Sequence, residues 1–162
     1  MIRRRKWVYL SLVGEWILLA EDSDDDLALA LRAIRRAGLT HRIVVARDGK
    51  EALEVLGLTG ADRTEPESPE LVLLDIKMPL HTGLDVLREM RKCPRFKGVP
   101  VVMLSSSDEP RDLREAYELG ANSYTVKPVS YEEFNHQLCA TVKYWTEINR
   151  VPNSTAIPAI SL

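Results

Sequence analysis

LVLLDIKMPL, residues 71–80, sets four aliphatic residues in a row and then an aspartate, Asp75. An unbroken aliphatic run, with no polar alternation, belongs to a strand covered on both faces, as in a parallel sheet. An acid at the end of such a strand sits where the chain leaves the core. Similar runs recur at WILLA (16–20), RIVVA (42–46), VVML (101–104) and SYTV (123–126). Helical patterns separate them. Leu27, Leu31 and Ile34 mark one face of a helix that starts after Ser23 or Asp24 and stops at Gly38. Further helices are predicted from Gly49 to about Gly57, from about Leu84 to Lys92 before Pro94, and from about Glu109 to Leu119 before Gly120. The last helix runs from about Tyr131 to Ile148 and opens with Ser130 and Glu133 at capping-box spacing.

Strands alternating with helices imply βαβ units, and five of each make an open, doubly wound α/β sheet, since a closed barrel would want eight. In such sheets ligands bind outside the carboxyl ends of the strands. The chain has 162 residues, 45% of them apolar, which suits one domain with a proper core. We expect an N-terminal extension over 1–14, the domain over 15–149 and a loose tail over 150–162. A net charge of -2 and a pI near 6.0 provide no field for nucleic acid or an anionic membrane. Cys93 and Cys139 lie far apart without metal-site spacing and read as reduced thiols of a cytoplasmic protein. The start, MIRRRKWVYLSLVGEWILLA, has the outline of a signal or anchor, but Glu15 interrupts it. Only eight uncharged residues, Trp7 to Gly14, precede that acid, against the roughly 20 a spanning helix needs. The segment reads as a dispensable leader, a weak membrane-surface contact being the lesser alternative.

The residues that follow the strands are Glu21 and Asp22, then Asp75, Ser105 and Lys127. Each alone is ordinary. Acids in a first helical turn, such as Asp24, Asp25 and Asp26, complement the helix dipole, and an Asp after a strand or a Lys before Pro128 is common turn chemistry. All five at one rim are specific. Crowded carboxylates raise one another's pKa unless a cation intervenes, so the set asks for a hard divalent metal, with Mg²⁺ the best fit. The natural guest is a phosphoryl group, its charge met by the metal and Lys127 and one oxygen bonded to Ser105.

ILLAEDSDDD (17–26), LVLLDIKMPLHTGLDVL (71–87), VPVVMLSSSDE (99–109) and ELGANSYTVKPVS (118–130) together resemble the receiver domain of two-component response regulators, over residues 16 to about 148. The resemblance implies a flavodoxin-like (βα)5 fold with strand order 2-1-3-4-5. It implies that Asp75 is the phosphoacceptor, that Glu21 and Asp22 hold Mg²⁺ with the backbone carbonyl of Lys77, that Ser105 is the switch hydroxyl and that Lys127 is the family's lysine. Tyr124 falls on the aromatic switch position, and the Lys127–Pro128 bond is expected to be cis. The linker GLTGADRTEPESPE (57–70) and KYWTEINRVP (143–152) are more narrowly similar to single-domain regulators encoded beside bacterial phytochromes. That similarity implies a sensor histidine kinase, of bacteriophytochrome type, as partner. It also implies no DNA-binding output domain and no enzymatic activity beyond self-phosphorylation and slow autodephosphorylation.

Switching a two-state protein from mostly off to mostly on takes about 5.5 kcal/mol. Hydrogen bonds to charged groups contribute roughly 1.5 to 3 kcal/mol each, so Ser105 and Lys127 together supply the right order. Ser105 is expected to move to the phosphoryl group and Tyr124 to turn into the vacated space. Lys77 and Ser107 lie two places beyond Asp75 and Ser105, where members of the resembled family tune attack by water, and the long Lys77 side chain is expected to shield the phosphoryl group and slow hydrolysis. Phe134, Leu138, Val142, Trp145 and Ile148 form one stripe of the last helix, its end overhanging the sheet. Either the leader or tail folds over Trp145 and Ile148, or a second copy pairs there as a homodimer. Leu29, beside Arg32 and Arg36, is expected to point outward as a kinase-docking patch.

An aspartate-nucleophile phosphatase would want a carboxylate where Lys77 stands, and a flavin protein of this fold would not tolerate EDSDDD at its phosphate loop. A phosphorylation-independent scaffold would not need the intact rim. His41, His81 and His136 have no ligand spacing and receive no role.

Overall fold

The computed structural model describes residues 16–59 and 68–151. The N-terminal extension 1–14, the tail from 152 and the middle of the 57–70 linker lie outside the described residues.

The five strands are β1 (Trp16–Ala20), β2 (Arg42–Ala46), β3 (Leu71–Asp75), β4 (Val101–Ser105) and β5 (Ser123–Val126). They form one parallel sheet in the order β2-β1-β3-β4-β5, with Leu18 registered on both Val44 and Val72, and Met103 on both Leu74 and Tyr124. The three central strands are buried throughout, as their unbroken aliphatic runs require, whereas the edge strands β2 and β5 are partly exposed.

Successive side chains alternate between the two faces. Leu18, Val72, Leu74 and Met103 therefore enter one core, and Ile17, Leu19, Leu71, Leu73, Val102 and Leu104 the other. The helices α2 (Gly49–Val55), α3 (Gly83–Lys92) and α4 (Pro110–Glu118) cover the first. The second is covered by α1 (Asp24–Arg36) and α5 (Tyr131–Lys143), which pack on each other. Four helices begin on side-chain caps: Ser23, Asp48, Thr82 and Ser130. Thr82 and Asp85 complete a capping box, while at Ser130 the hydroxyl accepts from the Glu133 N–H. Gly120 ends α4 at φ 94°, a conformation that a side chain would strain.

Two expectations need correction. The last helix is α-helical only to Lys143 and continues as a π turn over Tyr144–Ile148. A π turn advances less per residue than an α turn, so the apolar stripe slips in phase. Trp145 is half-buried against the α1–α5 core and meets Tyr144 edge to face at 5.1 Å, whereas Ile148 is 67% exposed. Leu29 does not point outward either: it packs against the same core and shares a groove with Tyr131 and Phe134. Because α5 lies along α1, the buried arc of α1 is wider than a single stripe.

Candidate functional site at the carboxyl ends of the strands

The parallel register brings the ends of β1, β3, β4 and β5 to one edge. Asp75 is the last residue of β3 and only 5% exposed. The chain beyond β3 folds back over it, and Gly83 makes this possible. A Cβ on Gly83 would stand 2.1 Å from the Asp75 carbonyl oxygen, a distance no side chain tolerates. In the same loop Leu80 takes φ 67°, sparsely populated by branched residues, and stands exposed at the rim.

Glu21 is buried and Asp22 exposed just beyond β1. Glu21, Asp22 and Asp75 each offer a carboxylate oxygen within 4.8 Å of the others. Lys127 enters from beyond β5, where its N–H donates to the Ser105 carbonyl at 2.7 Å. Its ammonium, with the side chain 8% exposed, lies 2.6 Å from Glu21 Oε2, 2.9 Å from Asp26 Oδ2 and 3.8 Å from Asp75 Oδ1. Burial would depress the Lys127 ammonium, but the hydrogen bonds to Glu21 and Asp26 and the charge of Asp75 outweigh it and raise its pKa. Burial pushes the Asp75 carboxyl from 3.8 up to about 6; Lys127 and the Lys77 N–H oppose this, and Glu21 and Asp22 reinforce it.

Three carboxylates, Glu21, Asp26 and Asp75, thus face one ammonium, with Asp22 beside them. Asp75 Oδ1 is buried without a hydrogen-bond partner. A buried lone pair without a donor, flanked by two further carboxylates, is the donor set of a hard divalent cation. The residues present fit one.

Ser105 is fully buried, and its Oγ accepts from the Ser107 N–H at 3.1 Å. Tyr124 is half-buried, and its hydroxyl donates to the Ser107 carbonyl at 2.9 Å and is also hydrogen-bonded to the Ser105 side chain. Burial raises the Tyr124 pKa, keeping the ring protonated and the donor in place. Tyr124 thus stands inward, with the Ser107 carbonyl as its acceptor. No cis peptide bond occurs among the described residues, so the Lys127–Pro128 bond is trans, the form an X–Pro bond prefers by about 0.5–1 kcal/mol.

All of the expected residues, Glu21, Asp22, Asp75, Ser105, Tyr124 and Lys127, meet at this edge. The backbone N–H of Lys77 also serves Asp75. Asp26 was missed. The three acids of the first turn of α1 have separate fates: Asp24 pairs with Arg47, Asp25 is exposed, and Asp26 turns back onto Lys127. The available signal was that a helical Cβ tilts toward the N-terminus, which aims the third residue of α1 at the strand ends.

Residues 17–138 match the model of the response regulator receiver domain. The chain is 40% identical to the probable methanogenesis regulatory protein FilR2 of Methanothrix harundinacea (strain 6Ac), over 84% of this chain and 86% of FilR2. It is 32% identical to the response regulator Rcp1 of Synechocystis sp. (strain ATCC 27184 / PCC 6803 / Kazusa), over 84% of this chain and 92% of Rcp1. The Mn²⁺-bound crystal structure of Rcp1 superposes with a TM-score of 0.78 at 31% identity, covering 86% of this chain and 99% of that one. The phosphorylated cyanobacterial phytochrome response regulator RcpA superposes at 0.79 with 30% identity and the same coverage. The buried acid at the tip of β3, the carboxylates beside it and the lysine reaching in from β5 are thus carried on a chain that belongs to the response regulator receiver domain family.

Proposed function

We propose that the chain takes a phosphoryl group onto Asp75 from a phosphohistidine of a sensor histidine kinase and passes the signal on by docking, as a non-enzymatic component of a cytoplasmic two-component system. The observation that carries this reading is the buried Asp75 carboxylate at the strand end, with an unsatisfied Oδ1, two carboxylates beside it and the Lys127 ammonium 3.8 Å away. An Asp75 oxygen attacks phosphorus, the P–O bond forms as the P–N bond breaks, and the electron pair returns to the imidazole nitrogen. Lys127 neutralises charge on the transferred oxygens, and Ser105 gives up its contact with the Ser107 N–H to donate to one of them. Glu21, Asp22, Asp75 and the Lys77 carbonyl would hold Mg²⁺, which supplies further charge neutralisation when bound.

Tyr124 stands against the Ser107 carbonyl, so a shift of Ser105 reaches the surface near β5 through that ring. Lys77 at the mouth of the site slows attack by water on the acyl phosphate. The name of RcpA, a phytochrome response regulator, supports a phytochrome-type kinase as the donor. No described helix is long and apolar enough to cross a membrane. Incubation of the purified chain with acetyl phosphate and Mg²⁺ tests the reading. Wild type should be labelled and Asp75→Asn should not; equal labelling of the two would overturn it.

A further inference from the structure

Lys127 has three N–H donors and lends its two hydrogen bonds to Glu21 and Asp26, not to Asp75. At 3.8 Å the Asp75 oxygen is beyond hydrogen-bond reach. The two acids that hold the ammonium differ in setting. The Glu21 side chain is 4% exposed and that of Asp26 38% exposed. Separating Lys127 from Glu21 would strand a buried charge, whereas Asp26 can be returned to water. The backbone of Asp26 is itself fixed, because its N–H donates to Ser23 Oγ at the cap of α1. Asp26 is thus rigidly placed, paired with the lysine and readily released from it.

We infer that Asp26 is a positioning residue that holds Lys127 away from Asp75 in the unmodified chain, and that the lysine exchanges Asp26 for a phosphoryl oxygen when Asp75 is modified. The inference rests on Asp75 being the phosphoacceptor. It assigns Asp26 the role of a counterweight: the Lys127–Asp26 pair must open before Lys127 can engage the incoming group, so the pair lowers the rate of modification and shortens the life of the modified form. Glu21 stays as the fixed pivot.

The test compares wild type, Asp26→Asn, Asp26→Glu and Asp25→Asn, each with acetyl phosphate and Mg²⁺. Asp25 is exposed in the same helical turn, so Asp25→Asn removes the same charge without touching Lys127 and corrects for weakened repulsion of the anionic donor. Asp26→Asn should raise the maximal labelling rate roughly three- to tenfold over Asp25→Asn, the range for loss of a partly exposed, charged hydrogen bond. The change should lie in the maximal rate, with the acetyl phosphate KM matching that of Asp25→Asn, and the phosphorylated form should last longer by a similar factor. Asp26→Glu, which restores a carboxylate within reach, should return both quantities toward wild type. A labelled wild type with Asp26→Asn no faster than Asp25→Asn, or with the gain confined to KM, overturns the inference while leaving Asp75 in place. An unlabelled wild type overturns both.

Discussion

Asp75→Asn should make the metal-free protein more stable, not less. In the folded chain the Asp75 carboxyl is raised from 3.8 to about 6, so the fold favours its protonated form. For an acid shifted upward, the stability tied to the bound proton is fully present below pH 3.8 and is lost as pH rises through 6. At 1.36 kcal/mol per unit the shift corresponds to about 3 kcal/mol at neutral pH. Water at the open mouth beside Asp22 screens part of it, leaving about 1–2 kcal/mol as the expected gain. The amide keeps the size of the side chain and can still accept from the Lys77 N–H. Urea unfolding followed by far-ultraviolet circular dichroism, in chelator at pH 7.5, should place the Asp75→Asn midpoint higher with an unchanged slope. The advantage should shrink through pH 5 and all but vanish near pH 4. Millimolar Mg²⁺ should stabilise wild type more than the variant, because only wild type presents the full carboxylate set. A variant less stable than wild type at pH 7.5 in chelator would refute the reasoning, since it would mean that the Lys127–Asp75 attraction exceeds the cost of burying the carboxylate.

Lys127→Met should cost about 2–4 kcal/mol in a urea titration at pH 7.5 and abolish labelling by acetyl phosphate, because Glu21 is left buried opposite no cation. Gly83→Ala should lower the unfolding free energy by more than about 2 kcal/mol, since the added methyl meets the Asp75 carbonyl at 2.1 Å and the loop must move; a variant within about 0.5 kcal/mol of wild type would contradict that geometry. If a second copy covers the end of the last helix, Ile148→Glu should convert a sedimenting dimer to monomer, whereas identical sedimentation would place the contact elsewhere.

The order and burial of the strands were legible because a two-sided parallel sheet demands continuous aliphatic runs, and VVML or LVLL can do little else. The acids, hydroxyl and lysine were legible for a related reason: each stands one or two positions after a strand run. What escaped was set by packing between elements. Asp26 looks like any dipole-facing acid until β5 brings Lys127 within 2.9 Å of it. Leu29 looks exposed on an isolated helical wheel and is covered only because α5 lies along α1. The slip of Ile148 off the stripe follows from a π turn that the apolar spacing does not announce. Tyr124 carries no mark of its inward setting, in which its hydroxyl donates to the Ser107 carbonyl.

On the proposed reading a single side chain receives the phosphoryl group. Wild type modified by acetyl phosphate in Mg²⁺, trapped by borohydride reduction and digested for peptide mass mapping, tests it most directly. The reduced site should fall at Asp75 alone, in the peptide that contains LVLLDIKMPL. A reduced site at Glu21, Asp22 or Asp26, with Asp75 unmodified, would contradict it.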